Sequence, residues 1–97
     1  MIILRGITIE ELLKISNANI IDLRNEQSYN NNHIDGAINI PHNKLIANPN
    51  MYLERNKKYY LYCQKGITSK KTCNYLLSLG FNVENIIGGY EEWILKK

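Results

Sequence analysis

The 97-residue sequence lacks the features that mark several large classes of protein. No apolar run approaches the roughly 20 residues that a helix needs to cross a bilayer. The opening Met1-Ile2-Ile3-Leu4 is followed by Arg5-Gly6 rather than by a longer apolar segment with a cleavage site. We therefore expect no membrane span, no signal peptide and a cytoplasmic location. Two cysteines without Cys-x-x-Cys spacing argue against a thioredoxin-like redox protein and favour free thiols in a reducing compartment.

The sequence also lacks any long run of basic residues. Twelve Lys and Arg against nine Asp and Glu give a formal net charge of +3, and the lysines are dispersed along the chain. We therefore expect no binding to nucleic acid. No linker, repeat or low-complexity segment divides the chain, which at this length predicts one domain. The hydrophobic fraction of 44% and the charged fraction of 22% are typical of a soluble globular protein.

Short apolar runs that alternate with helical patterns make up most of the chain. Strands are predicted at residues 20–23, 37–40, 59–62 and 83–87, and helices at residues 8–16, 26–31, 42–47, 51–55, 69–79 and 90–95. The first helix carries capping-box spacing between Thr8 and Glu11. This alternation predicts an α/β fold, in which right-handed crossovers produce a mostly parallel sheet with helices on both faces.

Cys63 follows the strand predicted at residues 59–62, at the carboxyl end where ligands bind in such folds. A loop of residues 64–68 separates it from the next helix. Loop N–H groups and the positive end of a helix dipole at this position favour thiolate over thiol. Gly66 permits a tight turn of converging amides, and Lys65 places a cation near bound anions. Alternatively, Cys63 is a small apolar residue packed at a strand end, and its position alone leaves both interpretations open.

Three motifs follow one another along the chain. The first is Ile21-Asp22-Leu23-Arg24, followed by Glu26 and Tyr29 and then His33-Ile34-Asp35-Gly36-Ala37-Ile38-Asn39-Ile40-Pro41; the second is Tyr62-Cys63-Gln64-Lys65-Gly66-Ile67-Thr68-Ser69; the third is Gly88-Gly89-Tyr90-Glu91-Glu92-Trp93. In order and spacing they resemble the motifs of the single-domain rhodanese (sulfurtransferase) family. The resemblance extends from about Thr8 to Trp93. It implies a single rhodanese domain over residues 1–97, with a mostly parallel sheet of about five strands flanked by helices on both faces.

The resemblance implies sulfane-sulfur transfer by double displacement, with Cys63 as the nucleophile and persulfide carrier. The donor is thiosulfate or a persulfide, and the acceptor is cyanide, a small thiol or a partner protein of a sulfur relay. The residues that match the family's substrate-binding loop are Gln64, Lys65, Gly66, Ile67, Thr68 and Ser69. The resemblance implies neither a metal ion nor an organic cofactor.

Two other classes of protein use a similar loop. Cysteine phosphatases have arginine six residues after the cysteine, where this chain has Ser69, and rhodanese-like phosphatases and arsenate reductases carry a longer loop that also ends in arginine. Non-enzymatic rhodanese-like modules bind partners through the loop and typically lack the cysteine.

Many thiosulfate-using relatives have arginine in the second half of the loop, where this chain has Ile67 and Thr68. A persulfide donor is therefore an alternative to thiosulfate.

The resemblance implies that several residues outside the loop support the site. Asp22, Arg24 and His33 match family positions that mainly hold loops together, and we expect them to form a polar network that supports the site. Gly88-Gly89 is too short for a nucleotide-binding loop, and we expect it to let backbone pack beside the cysteine loop.

Two further residues are expected to be structural. Cys73 shares a predicted helix face with Leu76 and Leu77, which indicates a buried thiol rather than a resolving one. His42, directly after Pro41, is expected to be a helix cap or a surface residue.

Overall fold

A five-stranded parallel sheet forms the centre of the protein. The structure, a computed structural model, describes residues 6–97. The strands are β1 (Gly6–Ile7), β2 (Ile20–Asp22), β3 (Ile38–Asn39), β4 (Lys58–Tyr62) and β5 (Asn82–Ile86). They lie in the order β1-β5-β4-β2-β3, and every neighbouring pair is parallel. β4 is therefore the central strand, and the cysteine that follows it lies at the middle of the sheet's carboxyl edge.

Helices cover both faces of this sheet. They are α1 (Ile9–Leu12), α2 (Glu26–Asn31), α3 (His42–Ala47), α4 (Pro49–Tyr52), α5 (Ile67–Ser78) and α6 (Gly89–Lys96). Successive residues of β4 point to opposite faces: Tyr59 and Leu61 pack in a core with residues of α3 and α5, whereas Tyr60 and Tyr62 pack in a core with residues of α1 and α6. The predicted α/β fold, with about five mostly parallel strands and helices on both faces, is confirmed.

The predicted capping box at the start of α1 is present. The Glu11 amide donates to Thr8 Oγ1 at 3.1 Å, and the Thr8 amide donates to Glu11 Oε1 at 3.0 Å. The helix nevertheless ends at Leu12, so the predicted end near Ser16 is wrong. Directly after Leu12 the backbone changes to tighter turns, in which the N–H groups of Lys14 and Ile15 donate to the carbonyls of Glu11 and Leu12, three residues earlier.

Other boundaries differ for local reasons. α4 begins at Pro49 rather than at Met51, because the fixed φ of proline suits the first position of a helix. β1 was not predicted, since two residues carry too little pattern to indicate a strand. Across residues 6–97, no helix combines the length and apolarity that crossing a bilayer requires.

Candidate active site

The sulfur of Cys63 lies inside a turn of backbone amides. The N–H groups of Gly66 and Ser69 each donate to Cys63 Sγ, with N–S distances of 3.2 Å. Gly66 has φ +91°, a left-handed conformation that glycine adopts without a steric penalty, and this conformation turns the chain back toward the sulfur. Cys63 itself is 8% exposed. The arrangement provides two fixed hydrogen-bond donors for a negative charge on sulfur.

The helix that follows Cys63 begins earlier than the sequence pattern predicts. α5 starts at Ile67 rather than Ser69, so Ile67 and Thr68 belong to its first turn and not to a loop. Ser69 is the third residue of the helix, and its N–H is one of those that have no partner within the helix. The sulfur accepts this unpaired N–H. The helix terminus and the turn at Gly66 therefore act on the same sulfur atom.

The start of α6 holds the cysteine turn from behind. The N–H of Tyr90 donates to the Cys63 carbonyl at 2.9 Å, and the N–H of Glu91 donates to the Gln64 carbonyl at 3.0 Å. Gly89 has no side chain to separate the two segments: a Cβ placed there would lie 2.9 Å from the Gly66 nitrogen and 3.0 Å from the Gln64 carbonyl oxygen. The expectation that Gly88-Gly89 lets backbone pack beside the loop is confirmed.

Cys63 lines an open cleft of about 500 Å³. The cleft is lined by Leu23, Arg24, Asn25, Ser28, Cys63, Gln64, Lys65, Ile67 and Thr68. Gln64, Lys65 and Thr68 are exposed at its edge, and Ile67 is 62% exposed. The six predicted loop residues thus divide into two groups. Gly66 and Ser69 are buried against the sulfur, and the other four form the accessible edge.

A buried ion pair supports the opposite wall of the cleft. Arg24 Nη2 lies 2.7 Å from Asp22 Oδ2, and these side chains are 8% and 0% exposed. Tyr62 joins the pair by donating from its hydroxyl to Asp22 Oδ2 at 2.6 Å. Burial, followed by this hydrogen bond, raises the pKa of Tyr62 well above its ordinary range, so the hydroxyl stays protonated. The guanidinium of Arg24 also lies over the Tyr90 ring, 4.0 Å from its centroid.

His33 is not part of this network, contrary to the expectation from the sequence. Its Nδ1 is 2.8 Å from the Tyr29 carbonyl oxygen, and its ring stacks on the Tyr29 ring at 3.9 Å. Among the hydrogen bonds of residues 6–97, none joins His33 to Asp22 or Arg24. The carbonyl of the preceding residue, Asn32, accepts from Arg24 Nη2 at 2.6 Å. His33 therefore packs α2 against the following turn, one residue away from the ion pair.

The second cysteine, Cys73, is a buried residue of α5. Cys73 is 3% exposed, and burial, followed by the charge of Glu84, raises the pKa of its thiol to about 12. The prediction of a buried thiol is confirmed, and both cysteines are free. Leu77, predicted on the same face, is 50% exposed instead. The buried residues of α5 are Ser69, Thr72, Cys73 and Leu76. The buried face of the helix therefore includes two hydroxyl side chains and excludes Leu77.

His42 is neither a helix cap nor simply a surface residue. It is the first residue of α3, its N-terminal neighbour Pro41 caps the helix without a side-chain bond, and its Nδ1 lies 2.8 Å from Thr72 Oγ1. His42 thus connects α3 to α5 on the helix face that carries Cys73.

Asn85 is a buried residue near the cysteine turn that the sequence did not predict. Asn85, on β5, accepts a hydrogen bond from Ser69 Oγ at 2.5 Å, and Ser69 Oγ lies 3.3 Å from Cys63 Sγ. Three of the five residues of β5 are polar, so the sequence pattern did not distinguish Asn85 from Asn82 or Glu84. Within residues 6–97, no group of three or more His, Cys, Asp or Glu side chains is placed to hold a metal ion.

Comparison with known proteins agrees with this geometry. The profile of the Rhodanese-like domain matches residues 8–96. The chain belongs to the rhodanese family. Among curated relatives of this rhodanese, thiosulfate sulfurtransferase GlpE of Shewanella oneidensis is 30% identical over 93 residues, which cover 92% of this chain and 91% of the relative. The protein of the same name from Coxiella burnetii is 33% identical over 84 residues, covering 86% of this chain and 78% of the relative.

Solved structures show the same fold. The rhodanese-related protein from Thermoplasma volcanium superposes with a TM-score of 0.87 at 31% identity, covering 95% of this rhodanese and 92% of that chain. The human single-domain sulfurtransferase TSTD1 gives a TM-score of 0.81 at 24% identity, with 96% and 97% of the two chains covered. The family includes the relatives named thiosulfate sulfurtransferase, and in this chain Cys63 lies in the turn between β4 and α5.

Proposed function

We propose that this protein is a sulfurtransferase that carries sulfane sulfur as a persulfide on Cys63. The observation that carries the proposal is the position of Cys63 Sγ, which accepts two backbone N–H groups at 3.2 Å and lines an open cleft. A buried cysteine that serves only for packing has no need of two donors, and Cys73 illustrates such a cysteine in the same chain. Relatives named thiosulfate sulfurtransferase support the same reaction class.

The reaction has two displacement steps. In the first, the Cys63 thiolate attacks the outer sulfur of thiosulfate; the S–S bond of the donor breaks, sulfite leaves with the bonding electron pair, and the persulfide anion remains on Cys63. In the second, cyanide or a thiolate attacks the terminal sulfur and restores the Cys63 thiolate. With cyanide the product is thiocyanate, and no oxidant or reductant is consumed. A persulfide donor enters the first step in the same way and leaves as a thiolate.

The surrounding residues take distinct parts in these steps. The N–H groups of Gly66 and Ser69 stabilise charge on the cysteine sulfur, and the exposed side chains of Gln64, Lys65, Ile67 and Thr68 meet the donor or acceptor at the edge of the cleft. Lys65 supplies a cation to an anionic donor but no bidentate fork. Asp22 and Arg24 hold the facing wall. The openness of the cleft suits either a small thiol or the thiol of a partner protein as acceptor.

Intact-protein mass spectrometry tests the proposal. After incubation with thiosulfate or polysulfide and removal of excess reagent, we expect a gain of one sulfur, about 32 Da, that is lost on addition of cyanide or dithiothreitol. Cys63→Ser should abolish the gain, whereas the matched variant Cys73→Ser should retain it, because Cys73 is buried away from the cleft. A gain that persists in Cys63→Ser, or wild-type protein that gains no sulfur from either donor, would contradict the proposal.

A further inference from the structure

Asn85 is a buried polar residue whose side chain is directed at the cysteine turn. It is 5% exposed and lies on β5, where it pairs with Leu61 of the central strand. Its side-chain oxygen accepts from Ser69 Oγ at 2.5 Å, and its side-chain nitrogen lies 3.4 Å from the Gly66 carbonyl oxygen. Asn85 therefore contacts both residues whose N–H groups donate to Cys63 Sγ.

The chemistry of these contacts fixes the orientation of the amide. The Gly66 carbonyl can only accept a hydrogen bond, so the NH₂ group of Asn85 must face it. The Asn85 oxygen then faces Ser69, and it can only accept, so the Ser69 hydroxyl must donate its single proton to Asn85. A lone pair of Ser69 Oγ consequently faces Cys63 Sγ, at 3.3 Å, where it accepts from the thiol S–H.

This orientation matters most when the thiol loses its proton. The N–H groups of Gly66 and Ser69 remain directed at the sulfur, and the short contact of 2.5 Å between Ser69 Oγ and the Asn85 oxygen favours keeping the hydroxyl proton directed at Asn85. A third donor on the sulfur would stabilise the thiolate before attack. That stabilisation would be lost as the sulfur becomes neutral on forming a new bond, and the attack would be slower.

We propose that Asn85 is a positioning residue that turns the Ser69 hydroxyl proton away from Cys63 and thereby keeps the thiolate strongly nucleophilic. Its NH₂ contact with Gly66 holds the amide in the orientation that this requires. The inference depends on the proposed function in one respect, namely that Cys63 is the nucleophile of the protein.

Alkylation by iodoacetamide tests this role without requiring sulfur transfer. The second-order rate constant for Cys63 is measured by mass spectrometry at the alkaline plateau, where the thiol is fully ionised in every variant. Asn85→Leu frees the Ser69 hydroxyl to donate to the sulfur, and we expect a rate about threefold to tenfold below wild type. Ser69→Ala should lower the alkylation rate of Cys63 less than Asn85→Leu does, because it leaves no hydroxyl to donate to the sulfur. The double variant Ser69→Ala/Asn85→Leu should recover to the rate of Ser69→Ala, because the interfering hydroxyl is gone.

The rescue distinguishes positioning from a merely structural role. If Asn85 served only to hold the turn, the double variant would react as slowly as Asn85→Leu or more slowly, and the proposal would be overturned. An Asn85→Leu rate equal to wild type would overturn it as well. Asn85→Val provides a second variant with a side chain suited to a strand, and loss of folding in either variant is detected as alkylation of the buried Cys73.

A matched control and a parallel assay complete the experiment. Thr72→Val removes another buried hydroxyl of α5, one that contacts His42 and the Thr68 carbonyl, and should leave the alkylation rate of Cys63 near wild type. Persulfide formation is measured on the same samples. If the variants show the expected alkylation pattern but wild-type protein gains no sulfur, the proposed sulfur transfer is refuted and the role of Asn85 stands.

Discussion

Substitution of Gly89 by alanine should lower the rate of sulfur transfer by more than the loss of folding stability alone explains. Gly89 is the first residue of α6 and has φ +60°, a left-handed conformation in which a Cβ is strained. Its new Cβ would also lie 2.9 Å from the Gly66 nitrogen and still closer to the Cys63 carbonyl oxygen. Real Cβ contacts are essentially never shorter than 3.0 Å, so the cysteine turn and α6 must move apart.

The magnitude follows from two contributions. A left-handed conformation costs a residue with a Cβ about 1–2 kcal/mol. Separation of α6 from the turn breaks the hydrogen bonds from Tyr90 and Glu91 to the carbonyls of Cys63 and Gln64, each worth about 0.5–1.5 kcal/mol. We therefore expect Gly89→Ala to lower the free energy of unfolding by roughly 2–5 kcal/mol. Sulfur transfer by the folded fraction should fall at least tenfold, since the Gly66 amide moves with the turn.

Gly36→Ala is the matched control. Gly36 also has a left-handed backbone, with φ +86°, but a Cβ there would meet nothing within 4 Å. It should therefore show only the conformational cost of about 1–2 kcal/mol and retain sulfur transfer. Urea denaturation gives the stability of both variants, and cyanide-dependent thiocyanate formation gives their activity. Equal losses of stability and activity in the two variants would refute the steric argument.

Two further predictions concern the buried groups on either side of the site. In a Cys63→Ser protein, the raised pKa of Cys73, about 12 against an ordinary 9.0, leaves roughly a thousandfold less thiolate near pH 8 than in an ordinary thiol. Iodoacetamide should label Cys73 rapidly in urea and hardly at all in the folded protein, and rapid labelling of the folded protein would show that the thiol is accessible. Asp22→Asn leaves Arg24 without its buried carboxylate and should cost about 3–5 kcal/mol in urea denaturation. A loss below about 1 kcal/mol would mean that Arg24 finds another partner.

The features that the sequence predicted correctly depend on local patterns. α2 and α3 have the predicted bounds because each is delimited by a turn or proline within a few residues. The position of Cys63 at the carboxyl edge of the sheet could be predicted because Cys63 directly follows a buried strand, and this is visible in the local sequence. Gly88-Gly89 was informative because two adjacent glycines indicate close approach of backbone.

The features that the sequence did not predict depend on partners distant in the chain. The hydroxyls of Ser69 and Thr72 are buried because they bond to Asn85 and His42, 16 and 30 residues away. An apolar pattern cannot show this, and it placed Leu77 in the core instead. The early start of α5 is an exception with a local cause, because the left-handed Gly66 directly before Ile67 ends the turn and begins the helix.

The way α6 holds the cysteine turn has a consequence for the protein during its synthesis. The N–H groups that bind the carbonyls of Cys63 and Gln64 come from Tyr90 and Glu91, more than 25 residues later in the chain. A nascent chain that has emerged only as far as β5 therefore lacks the two hydrogen bonds that hold the cysteine turn from behind. The cysteine turn is therefore held in place only after α6 has docked beside it, so its final geometry depends on the last helix of the chain.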